Sequence, residues 1–189
     1  GKSATHKLAL MRVLLRIADG HSGAVLRRES SPGGDRVILP AGLVALYWCH
    51  QYKDLIDLHA LFQTPAKSPN MGFMKADGWN KLTHRLASDY RIGNLFTGED
   101  AKALFKTLSA ALQNIKNMPC KYITFPNTST PVFEVDSKAV KAKDSLFLDL
   151  PSLEQWGEFS MPESTWLAFN RYACWIEPVL VSEWVKTMA

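Results

Sequence analysis

TGEDAKALFKTLSAALQNIKN, residues 97–117, followed by MPCKYITFPNTSTPVFEV, residues 118–135, is the stretch on which the fold turns. In its first half Ala103, Leu104, Leu108, Leu112 and Ile115 recur at helical spacing, which predicts a helix running to about Asn117. Thr97-Gly98-Glu99-Asp100 resembles a capping box at its start. In the second half the texture changes. Tyr122-Ile123-Thr124-Phe125, Val132-Phe133-Glu134-Val135 and, further on, Leu146-Phe147-Leu148 are short, β-branched or aromatic, and bounded by Pro, Asn and Asp, so they read as a small antiparallel sheet. A long helix followed by clustered strands argues for an α+β layout.

Upstream, Leu8, Met11, Leu14, Leu15 and Ala18 place an amphipathic helix over residues 5–18, ended by Gly20. Residues 20–34, with Pro32-Gly33-Gly34, read as turn or loop. A second helix is expected after Pro40, through Leu43, Val44, Tyr47, Trp48 and Gln51, and a short third over Asp54–Phe62. Thr64–Gly72 reads as a loop, and Asp77–Leu86 as a helix with Trp79 and Leu82 on one side, Lys81 and Arg85 on the other. Downstream, Ser160-Met161-Pro162-Glu163 suggests another capping box. The helix beyond it carries Trp166, Phe169, Tyr172, Ala173 and Ile176, bends at Pro178 and continues past Trp184. The expected class is α+β, mainly helical with a small antiparallel sheet. Residues 1–189 form one compact unit in this reading: helical over 1–117, sheet over 119–150, closing helix over 160–188.

Composition agrees with a globular chain: 47% of the 189 residues are hydrophobic and 21% charged. No apolar run approaches the ~18 residues of a membrane span, and the first residues lack the pattern of a signal peptide, so a cytoplasmic protein is expected. The opening on Gly1 and a helical pattern still running at Ala189 suggest a piece of a longer protein. Cys49, Cys120 and Cys174 are odd in number and far apart, which argues against a disulfide framework or zinc clamp and for small buried side chains.

Catalytic patterns are sparse. Glu134-Val135-Asp136-Ser137-Lys138 offers half of a metal-nuclease site on a strand, with no clear partner acid upstream; solvated strand ends of this composition are commoner. Gly1-Lys2-Ser3 lacks the strand and glycine loop of a phosphate-binding loop. His50, His59 and Asp57 match no zinc spacing, and no Ser or Cys sits in a nucleophile signature. Binding is therefore favoured over catalysis. A net charge of +4 permits a polyanion partner. Candidate DNA-binding residues are Lys2, Ser3 and Lys7; Arg27 and Arg28; Lys75, Trp79, Asn80, Lys81 and Arg85; Lys121 and Tyr122; and Lys138, Lys141 and Lys143. Any one of them reads first as a solvated surface residue; two or more of the clusters meeting on one surface would favour binding. Trp48, Tyr47, Tyr52, Trp79, Trp166, Trp175 and Trp184 could form a stacking pocket for an extruded base, but at helical spacing they read first as core.

Four segments carry a family likeness: residues 1–12 (GKSATHKLALMR), 39–48 (LPAGLVALYW), 117–124 (NMPCKYIT) and 171–178 (RYACWIEP) with Glu183-Trp184-Val185. Together they resemble the N-terminal regions of bacterial HNH endonuclease-domain proteins, restriction-like and defence nucleases. The resemblance implies a recognition or positioning module for double-stranded DNA, sensing a sequence or a modified base. The HNH nuclease and its divalent metal would lie outside these residues, leaving this stretch without a catalytic set or cofactor of its own. A winged-helix-like reader, with Asp77–Leu86 as recognition helix and the loop between Val135 and Leu146 as wing, is one architecture compatible with it. Two alternatives stay open: a protein-interaction module, such as a homodimer joined through exposed tryptophans, and a metal nuclease using Glu134, Asp136 and Lys138.

Overall fold

A computed structural model describes residues 2–59 and 72–188 of the chain. The long helices are α1 (Lys2–Gly20), α2 (Ala41–His59), α3 (Gly98–Asn117) and α6 (Glu163–Met188); α4 (Pro119–Tyr122) and α5 (Leu150–Leu153) are single turns. The strands are β1 (Arg27–Glu29), β2 (Arg36–Pro40), β3 (Leu95–Thr97), β4 (Glu134–Ser137), β5 (Ser145–Phe147) and β6 (Gly157–Pro162). They form a four-stranded antiparallel sheet in the order β1-β2-β6-β4 and a separate β3-β5 pair. The fold is mainly helical α+β, as the composition of its segments predicts.

The main sheet owes its position to alternation in β6. Phe159 and Met161 are buried against the helices, while Glu158 and Ser160 point the other way. There Arg36 binds Ser160 through Nε–Oγ at 2.6 Å and donates to the Val132 and Ser160 carbonyls, tying β2 and β6 to the approach of β4. Arg27 forks onto Glu158, with Nη2–Oε1 at 2.7 Å. Gly157 enters β6 at φ +103°, and a Cβ there would stand 2.0 Å from the Asp136 carbonyl oxygen. Only glycine fits so close an approach.

Helices cover the inner face. α1 and α6 lie together, joined where Asn170 donates to the Ala18 carbonyl at 2.8 Å. α6 buries Trp166, Phe169, Ala173 and Trp184 at helical spacing. α2 is buried nearly all round, as its run of Leu43, Val44, Ala45, Leu46, Trp48 and Cys49 requires. Its rings join a file of contacts: Trp48 to Tyr52, Tyr52 to Phe73 and Trp184, Phe73 to Trp79, Trp79 to Tyr90 and Tyr90 to Phe96, with centroids 5.2–6.1 Å apart. The buried side chains from Ala9 to Trp184 belong to one core.

Several expectations are corrected. The separate helices after Pro40 and over Asp54–Phe62 are one continuous α2, with residues 60–62 and the Thr64–Gly72 loop, except for Gly72, outside the described residues. Asp77–Leu86 contains only a 3-10 turn, Trp79–Leu82, because Trp79 and Leu82 are drawn into the core while Leu86 stays exposed. Tyr122–Phe125 forms no strand: Pro119 starts a helical turn, and a lone bridge, Thr124 to Pro131, follows. The wing is also absent, since β4 pairs with β6 and β5 with β3, so the two are no hairpin. The sheet instead recruits β1, β2 and β6. Ser160-Met161-Pro162 is the end of β6, and the Thr97 side chain caps nothing at α3. The break in α6 falls at Tyr172 (φ −115°, ψ 16°), with Pro178 inside the helix. Cys49 and Cys120 are buried as expected, but Cys174 is exposed.

Candidate nucleic-acid interface and an arginine-histidine pocket

Asp100, in the first turn of α3, accepts from Arg85 Nε at 2.7 Å and from His84 Nε2 at 2.8 Å. Arg85 also lies over the Phe96 ring, 4.3 Å from its centroid. Partial burial works against the Asp100 carboxylate, yet the bonds from His84 and Arg85 outweigh it and hold the group below its ordinary range. Arg85 is thus tied into the fold rather than offered to a groove. Truncating it to Ala is expected to cost about 1–2 kcal/mol in urea unfolding, through the ion pair and the ring contact.

The other arginines expected at DNA are similarly engaged: Arg27 with Glu158 and Glu29, Arg28 with Glu163 at 2.7 Å. Trp79 is 7% exposed and belongs to the aromatic file, which corrects its assignment to DNA contact. Trp48, Tyr52, Trp166 and Trp184 are likewise core, so they build no open stacking pocket. Asn80 and Lys81 are exposed on the 3-10 turn, and Lys7 is half-buried on α1. The side chains of Lys2 and Ser3 lie outside the described residues.

The lysines behave differently. The segment after β4 runs along α3, held where Gln113 Nε2 donates to Ser137 Oγ at 3.2 Å. Its Val140 and Ala142 line a shallow groove of about 400 Å³ with Lys75, Asp77, Lys106 and Ser109. Lys138, Lys141 and Lys143 alternate with these inward residues and are exposed. Farther along α3, Lys116 and Lys121 border a hollow of about 220 Å³ with Pro131 and Glu134. Tyr122 is half-exposed, its ring 5.6 Å from the Lys121 ammonium. Lys75 and the segment that carries Lys138, Lys141 and Lys143 therefore border one groove, in which Asp77 pairs with Lys106 at 3.6 Å; α3 contributes Lys106 here and Lys116 to the next hollow. The latter two carry no signal in the sequence, because on α3 they read as ordinary polar positions of an amphipathic helix.

A second feature has no counterpart among the sequence expectations. Arg16, His21, Tyr47, His50, Tyr90, Arg91 and Ile92 line a pocket of about 400 Å³ between α1, α2 and the turn before β3. His21 meets Tyr47 edge to face, centroids 5.8 Å apart, and Arg91 Nε approaches His50 Nε2 at 3.4 Å. Burial, then the charges of Arg16 and Arg91, push His50 down to about 4. Burial also raises the Tyr47 hydroxyl. Because unfolded His50 binds its proton near 6.5 and the folded residue near 4, acid favours the unfolded chain between those values. The Tm is expected to fall from pH 6.5 toward pH 4, and a scanning-calorimetry series should show part of that fall removed in His50→Gln.

Glu134 and Asp136 share the exposed face of β4, and the nearest cross-strand acid, Glu158 opposite Asp136, is held by Arg27. Among the described residues no group of three or more His, Cys, Asp or Glu is arranged to hold a metal ion, and no helix is long and apolar enough to cross a membrane.

The chain belongs to the family described as a domain of unknown function (DUF8808), which it matches over residues 1–189. No curated protein and no solved structure matches it.

Proposed function

We propose that this chain is a DNA-engaging module that holds the phosphate backbone of a duplex along the lysine-edged face of α3, as the recognition or positioning part of an HNH-type restriction-like nuclease. The observation that carries the reading is a groove beside α3 lined by Lys75 and Lys106 together with Val140 and Ala142, on a segment whose Lys138, Lys141 and Lys143 are exposed. Lysines on an extended segment are point charges suited to phosphates, and they carry no base-reading geometry of their own. Binding through them is electrostatic and falls steeply with salt. Anisotropy titrations of a labelled duplex at several salt concentrations test this. A linear fall of log affinity with log salt, corresponding to roughly four or more phosphate contacts, is the expected result. Affinity absent even at low salt would end the proposal. Magnesium-dependent cleavage by the same chain, lost in Asp136→Ala, would instead make β4 a nuclease site.

A second reading is favoured by the outer face of α6. Tyr172, Trp175 and Val179 follow one another at helical spacing, and Trp175 is 76% exposed. Here the row meets a second copy of the chain. If it does, sedimentation velocity shows a dimer that Trp175→Ser returns to monomer; a monomer at all concentrations removes this reading.

A further inference from the structure

We infer that the pocket between α1 and α2 binds a small phosphorylated ring compound of the nucleoside monophosphate class, with Arg16 and Arg91 on the phosphate and the Tyr47 and Ile92 wall against the ring. The inference is independent of the lysine face. Its volume of about 400 Å³ falls within the range of small-ligand sites. Two guanidinium groups reach it from separate elements, Arg16 from the last turns of α1 and Arg91 from the turn ahead of β3, and no carboxylate among the described residues lines it.

The surrounding acids offset this charge only in part. Glu177 on α6 lies 3.9 Å from Arg16 Nε and 3.7 Å from Arg12 Nε. Asp89 accepts from the Leu86 amide at 3.0 Å and faces Arg85. Asp54, a turn beyond His50 on α2, acts on the imidazole through its charge without lining the pocket. One carboxylate, Glu177, is thus shared by Arg12 and Arg16, and with Arg91 at the rim the pocket keeps a net positive charge, which favours a compact anion. Neutral His50 keeps a lone pair toward Arg91 and fixes that guanidinium at the edge of the cavity. Tyr47, half-buried, together with Tyr90 and Ile92 supplies the apolar wall that an inorganic ion would leave unused.

Isothermal titration of the chain with adenosine 5′-monophosphate and uridine 5′-monophosphate, with inorganic phosphate, and with the unphosphorylated nucleosides tests the inference. The expected order is measurable binding of at least one monophosphate, inorganic phosphate at least 10-fold weaker, and the nucleosides weaker still. Arg91→Gln, at an exposed position, should weaken the monophosphate at least 10-fold with thermal unfolding unchanged, and Arg16→Gln should do the same. In proton NMR, bound monophosphate should shift the His21 and His50 ring resonances. The inference is overturned if neither monophosphate binds at millimolar concentration, if phosphate alone binds as tightly, or if Arg91→Gln and Arg16→Gln both bind like wild type.

Discussion

Replacing Lys75, Lys138, Lys141 and Lys143 together by Glu is expected to lower duplex affinity by at least about 100-fold at low salt and to flatten the salt dependence by three to four log units per log unit, roughly 0.9 for each phosphate that is no longer neutralised. These four side chains are exposed, and none of them is ion-paired among the described residues. The fold therefore has little to lose, and each change should move stability by no more than about 0.5 kcal/mol. The substitution turns the formal net charge from +4 to −4, so a general electrostatic effect must be separated from a local one. A control variant away from the groove does this. Arg27 and Arg28 lie on β1 and are held by Glu158 and Glu163, so exchanging them for Gln removes charge away from the α3 groove. It should change the salt slope by well under one unit. Losses in proportion to the charge changed, two units against eight, would mean that DNA responds to overall charge alone, and the α3 face would lose its assignment.

Gly157→Ala is expected to be the most damaging single change to the fold, costing about 3 kcal/mol or more. Two effects add there. Alanine is strained at φ +103°, and its Cβ would meet the Asp136 carbonyl oxygen at 2.0 Å and carbon at 3.0 Å. Neither backbone atom can swing away, because Asp136 is paired with Glu158 in the β4-β6 ladder. For a chain of this size the loss corresponds to a fall in Tm of roughly 6–12 °C. Gly93→Ala separates the two causes: φ is +97° there, but no atom lies within 4 Å of the new Cβ. Its cost should be about 1–2 kcal/mol, for backbone strain alone. Equal destabilisation by both changes would show that the close approach at Gly157 carries no energy of its own.

The helices are legible because their patterns are local. The 3.6-residue stripe of Leu104, Leu108, Leu112 and Ile115 marks α3 within a residue or two, and α1 and the start of α6 are marked nearly as closely. The sheet is not legible in the same way. Strands Arg27–Glu29 and Arg36–Pro40 are short and flank a Gly-rich turn, and Gly157–Pro162 ends in the Met-Pro-Glu that also suits a helix start. Their pairing is settled by partners far along the chain, which a window of a few residues does not contain. Asp77–Leu86 fails for the opposite reason. Its helical periodicity is real, but Phe73 and Tyr90 draw Trp79 into the aromatic file and interrupt the helix. Of the basic candidates, Lys75 and the lysines at 138, 141 and 143 stand out by composition, but that Lys75 shares a groove with Val140 and Ala142 of their segment depends on the route of the chain after β4. Arg16 and Arg91 have no sequence signal, since each stands alone among ordinary neighbours.

The pairing of Val37 with Met161 has a consequence in time. At a synthesis rate of about 5–20 residues per second, β2 leaves the ribosome on the order of ten seconds before its central partner β6 exists. During that interval β1 and β2 can form only a two-stranded ribbon, and Val37 and Leu39 await the cover that closes over them in the finished molecule. Helix α1 waits longer still for α6. Refolding from denaturant should accordingly be slow for a chain so rich in helix, its rate governed by the union of its two ends rather than by the speed at which the helices form.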